Sequence, residues 1–143
     1  MSETIRSIYQ NPKILPLFLC AAVIIDYSLT FYFAGSVEAI LANEFSPTLL
    51  YAVTHDIVIP YLLFMVIFYY LAGYVVLDLL EGSNIYYLGV IIILLMSTTH
   101  VLGGFSWYVM NTYYSNAVIL LSLTSVMITI AAFGYEVIEY VTS

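Results

Sequence analysis

Ionisable side chains fall in this sequence where an apolar chain should carry none. Asp26 interrupts the apolar run that begins at Ile14, and His100 lies inside the run that begins at Ile85. A charged group in a membrane span costs on the order of 3 kcal/mol by insertion scales, so it persists where it meets a partner, a cavity or a site. Asp26 lies about 12 residues into its segment and His100 about 15 into its own; at ~1.5 Å of helical rise per residue the two sit at similar depth. A carboxylate and an imidazole at one depth can form a hydrogen-bonded pair, relay a proton or share a metal ion. Thr30, one turn after Asp26, shares its face. Toward the same membrane face come Glu38, Glu44 and the neighbours His55 and Asp56. The expected arrangement is one outward-opening polar pocket lined by Asp26, Thr30, Glu38, His55, Asp56 and His100.

Three chemistries fit that set. His55, Asp56, His100 and Asp26 together would suit a divalent ion such as zinc, iron or manganese by ligand type, although no H-E-x-x-H or E-x-x-H spacing occurs. The same groups could instead handle protons, in an enzyme or a transporter. Alternatively, His55 and His100 could be the two axial ligands of a haem b in an electron-transfer subunit, with Gly103 and Gly104 making room for the macrocycle. A reading of another class makes Asp26 and His100 structural, in a non-catalytic subunit or scaffold of a larger membrane complex, with the Tyr-rich segment ends touching further subunits or a second copy. No nucleophile elbow, phosphate loop or paired catalytic aspartates occur.

Composition sets the frame for these groups. Of 143 residues, 64% are hydrophobic and 8% charged, with mean hydropathy +1.05. A soluble domain needs a charged shell of commonly about 25% of its residues, so the solvent of this chain is mostly lipid. With two basic residues against nine acidic ones, no basic patch exists to hold nucleic acid or to grip anionic lipid. Cys20 is alone, which excludes a disulfide or a Cys-based metal site within one chain.

The spacing predicts an all-α, integral membrane four-helix bundle. Residues 1–13 form an N-terminal tail and 14–141 a single transmembrane domain. The first helix is expected over 14–42, uncleaved because Asp26 interrupts any signal-like stretch and no small-x-small cleavage site follows. The second segment, 48–80, exceeds the roughly 20 residues a bilayer core needs, so it is expected to kink at Pro60, with 60–80 as the span. Helices over 85–110 and 117–141 complete the set, joined by a turn at 81–84 and a loop at 111–116. Tyrosines gathered near segment ends form aromatic belts. Ser122, Ser125, Thr129 and Ala132 share one face of the last helix and read, with Gly103 and Gly104, as packing seams. Arg6 and Lys13 both precede the first helix, which keeps the N-terminus cytoplasmic by the positive-inside rule. Four crossings return the C-terminus to that side of the cell membrane.

The first hairpin, with Asp26 and Thr30 followed by Glu44-Phe45-Ser46-Pro47, resembles that of a family of small, mainly archaeal, multi-spanning membrane proteins of unknown function. That family carries an Asp-x-x-x-Thr step and then Glu-x-Asn-Pro. Here Ser46 replaces the Asn, and the distance from Thr30 to Glu44 is about a helical turn longer. The resemblance implies that Asp26, Thr30 and Glu44 act together, and it implies no activity.

Overall fold

A computed structural model describes Tyr9 and residues 11–142, without the side chain of Tyr140. Arg6 and most of the expected tail lie outside the described residues. Among the described residues six helices follow in order, α1 Leu15–Ala34, α2 Val37–Asn43, α3 Pro47–Thr54, α4 Val58–Leu79, α5 Tyr86–Val109 and α6 Thr112–Thr142, and no strand occurs. Leu15–Ala34, Val58–Leu79, Tyr86–Val109 and Thr112–Glu139 are long and apolar enough to cross a membrane. The fold is all-helical, and its four apolar helices point to a membrane protein.

The first expected helix is two. Gly35 takes a left-handed conformation (φ 69°) that ends α1, its N–H bonding to Phe31 O, and Ser36 Oγ then accepts from Ala39 N to start α2. A glycine in that region closes a helix without Cβ strain, and the hydroxyl satisfies a free N–H of the next helix. The second segment also breaks, but ahead of Pro60. Asp56 is left-handed at φ 56°, the chain turns at 55–57, and α4 begins at Val58. Pro60 thus falls in the opening turn of α4, where its missing N–H breaks no helical bond. The loop expected at 111–116 shrinks, because Asn111 Oδ1 accepts from the N–H groups of Tyr113 and Tyr114 and caps α6 from Thr112 onward.

α1 packs mainly against α5 and next against α4, while α6 lies on α5. Leu15, Leu19 and Val23 of α1 meet Leu77, Val90 and Ile93 in one buried cluster; Ala132 joins Val76, Leu80 and Ile92 in another. Small residues set how near the helices come. At Gly104 an added Cβ would lie 2.9 Å from both Cα and O of Asp26, so the α1–α5 seam is backbone against backbone beside the polar residues. Ser125 and Ala132 of the small face on α6 are buried, whereas Ser122 is exposed. Hydroxyls in the spans bond back to carbonyls four residues earlier, as Ser28, Ser97, Thr98, Thr99 and Thr129 do, which satisfies them without water.

The short helices form a cap. Ile40, Leu49 and Val53 bury against Phe31, Tyr61 and Trp107, folding α2 and α3 over one end of the spans. The α5–α6 connection lies at that same end, beside the Asn43–Phe45 loop.

Candidate functional site

Asp26 and His100 meet across the α1–α5 seam. His100 Nδ1 and Asp26 Oδ2 are 2.7 Å apart, and the two side chains are 17% and 18% exposed. Asp26 lies about 12 Å along α1 from Ala34, and His100 about 14 Å along α5 from Val109, by ~1.5 Å of rise per residue. The imidazole and the ring of Tyr69 of α4 meet edge to face, centroids 4.7 Å apart at 81°. Three helices therefore hold the histidine: α5 carries it, α1 supplies its hydrogen-bond partner and α4 its wall.

The pair borders a cavity of about 260 Å³ shared with Tyr27, Thr30, Glu44, Ser46, Thr48, Tyr61 and Tyr69. Polar walls and that volume suit water. Along the wall four hydroxyls are linked in series: Tyr27 Oη to Tyr61 Oη, Tyr61 Oη to Thr48 Oγ1, and Thr48 Oγ1 to Ser46 Oγ, each at 3.0 Å. At every step either oxygen can donate. Ser46 N–H donates to Glu44 Oε1 at 2.7 Å, which ties the chain to a second carboxylate. Burial pushes the Glu44 carboxyl up and the negative charge of Asp26 adds to the rise; donors from Ser46, Phe45 and Trp107 offset part of it.

Of the expected pocket, Asp26, Thr30 and His100 come together, and Glu44 joins them. Glu38, His55 and Asp56 do not line this cavity. Glu38 is exposed in the first turn of α2. His55 is exposed at the end of α3, where its Nδ1–H donates to Tyr51 O at 2.9 Å and its ring stacks on that of Tyr51 at 4.0 Å. Asp56 occupies the left-handed turn beside it. The break before α4 leaves both at the α3–α4 junction, away from the lining of this cavity.

The ligand sets read from the sequence are divided accordingly. Among the described residues no three His, Cys, Asp or Glu side chains are grouped so as to hold a metal ion, and the set Asp26, His55, Asp56 and His100 is split between pair and junction. The two histidines named as axial ligands stand in different settings, His55 against Tyr51 O and His100 against Asp26, and neither described cavity at this end is lined by both.

The residues that sequence reasoning missed are aromatic or hydroxylic, with Met65 beside them. Tyr61, Met65 and Tyr69 all line the cavity, and their spacing of four residues places them on one face of α4. That spacing was legible, but Tyr69 read as interfacial belt, because belt and cavity wall use the same residue type, and Tyr61 was not singled out. Ser46 read as part of the connection and Thr48 as the start of the second segment; Ser46 caps α3 and Thr48 lies in its first turn.

No family model, no curated protein and no solved structure matches the chain, so the resemblance of its first hairpin stands on those residues alone.

Proposed function

We propose that this chain is a multi-pass protein of the cell membrane that holds and passes a proton at the Asp26–His100 pair. The observation that carries the reading is the 2.7 Å contact between Asp26 Oδ2 and His100 Nδ1. At that separation a proton has two seats. Either the imidazole N–H donates to a carboxylate, or a carboxylic acid donates to the bare ring nitrogen. Both side chains are mostly buried, and the lowered local dielectric strengthens whichever bond forms. The hydroxyl series Tyr27–Tyr61–Thr48–Ser46 then serves as the path to the loop end. Each oxygen accepts a proton from behind and releases its own ahead, so no tyrosine need stay ionised, and water in the cavity bridges the pair to the series. Lys13 before α1, with Arg6, supports a cytoplasmic N-terminus by the positive-inside rule; the cavity then opens outward.

The test is proton movement in vesicles enclosing a pH-sensitive dye. Wild-type protein should collapse an imposed pH gradient faster than Asp26→Asn or His100→Gln protein recovered in the same folded yield. Equal rates for all three, at the level of empty vesicles, would end the proposal.

A second reading, a structural subunit of a larger membrane complex, is supported by the contact at Gly104, where the backbones of α1 and α5 leave no room for a Cβ. There the pair acts as a clasp. It expects both variants to lose folded yield or co-purifying partners.

A further inference from the structure

A second cavity, of about 350 Å³, lies beside the first, between α1, the Asn43–Phe45 loop, α5 and the start of α6. Small-molecule sites occupy roughly 300–1,000 Å³. Asp26 and Glu44 face this cavity from separate elements, and no basic side chain is among its lining residues.

Asp26 serves both cavities with different oxygens. Oδ2 is held by His100. Oδ1 lies toward Gly103, where even an added Cβ would come no nearer than 3.5 Å. The missing side chain at Gly103 thus leaves Oδ1 open to the larger cavity.

Thr30 is an independent sign of an absent partner. It is 3% exposed and lines this cavity, yet its hydroxyl makes no hydrogen bond among the described residues. Thr98 and Thr99, in a neighbouring span, both satisfy theirs on carbonyls four residues back. Because the cavity reaches the Thr30 side chain, its oxygen stands free to accept from an occupant.

Trp107 and Phe45 add aromatic surface beside the carboxylates, and an aromatic face attracts a cation. From this set we infer that the cavity binds a small primary alkylammonium ion. Asp26 Oδ1, the Glu44 carboxylate and the Thr30 hydroxyl offer three acceptors for its three N–H groups, and Trp107 faces its alkyl body. A bare metal ion would leave most of the volume unfilled and finds no group of three ligands among the described residues. An anion would meet two carboxylates.

Trp107 is the single tryptophan of the chain and lines the cavity, so its fluorescence reports occupancy. Detergent-purified protein is titrated with n-butylammonium chloride, with n-butanol as the neutral isostere and sodium chloride as the salt control. Wild type should show a saturable change with butylammonium alone. Half-saturation should weaken roughly ten- to a hundredfold in Glu44→Gln and in Thr30→Val, the size expected for losing one hydrogen bond to a charged group. An equal response to butanol or to sodium chloride, or unchanged affinity in Glu44→Gln, overturns the assignment. Where a variant fails to fold, the wild-type contrast between butylammonium and butanol still decides. Proton movement is read separately in vesicles, so either inference can fail without the other.

Discussion

Replacing Gly104 by alanine should drive α1 and α5 apart at the level of the Asp26–His100 pair. The new Cβ would lie 2.9 Å from Cα and from O of Asp26, and 3.0 Å from Cβ of Leu29. Two of those atoms are backbone and cannot swing aside. Carbon contacts settle near ~3.5 Å or beyond, so the seam must open by about 0.6 Å. Overpacking of this kind costs about 1–3 kcal/mol. If helix separation takes up the whole opening, the 2.7 Å contact stretches to about 3.3 Å, outside the usual N–H···O range. Stability and the pair should fall together. Gly103→Ala is the neighbouring control, because its Cβ meets Asp26 Oδ1 at an ordinary 3.5 Å. Unfolding in detergent, followed by Trp107 fluorescence, reads the first effect. Labelled-histidine NMR reads the second, since the chain has two histidines and His55→Gln assigns them. Should Gly104→Ala match Gly103→Ala in stability, with the His100 signal unmoved, the close-seam reasoning is wrong.

Other outcomes follow from single residues. Because burial raises the Glu44 carboxyl, the folded state holds that proton more tightly than the unfolded chain does. The resulting stabilisation is full below about pH 4.3 and is lost as pH climbs through the raised value; Glu44→Gln should flatten that part of the stability–pH curve in detergent. Met110 ends α5 in a left-handed conformation at φ 48°, so Met110→Gly should stabilise by about 1 kcal/mol in thermal unfolding. Tyr61→Phe removes two links of the hydroxyl series and should slow vesicle proton entry, leaving the NMR signal of His100 in place. His55→Gln, at the junction, should leave proton entry at the wild-type rate.

Much of this molecule is legible along the chain. Four long apolar stretches require helices, since a span must satisfy its own backbone polar groups, and 8% charge requires lipid around them. Asp26 and His100 could be paired from depth alone, because helical rise converts residue number into distance along each span. Depth says nothing of what the backbone does between spans. His55 and Asp56 read as part of the pocket until the left-handed turn at Asp56, ahead of Pro60, set them at a junction. Gly35 and Ser36 likewise folded α2 and α3 back as a cap, bringing Glu44, Ser46 and Thr48 beside Asp26. Which tyrosines wall a cavity and which meet lipid was also left to packing, since a phenol serves both places. Local propensity and hydropathy act through neighbours a few residues apart, and so the spans and the depth of their polar groups belong to the sequence itself. The site joins side chains from α1, α4, α5 and the Glu44–Thr48 stretch, and only the fit of helix against helix at Gly104 and beneath the cap decides which of them touch.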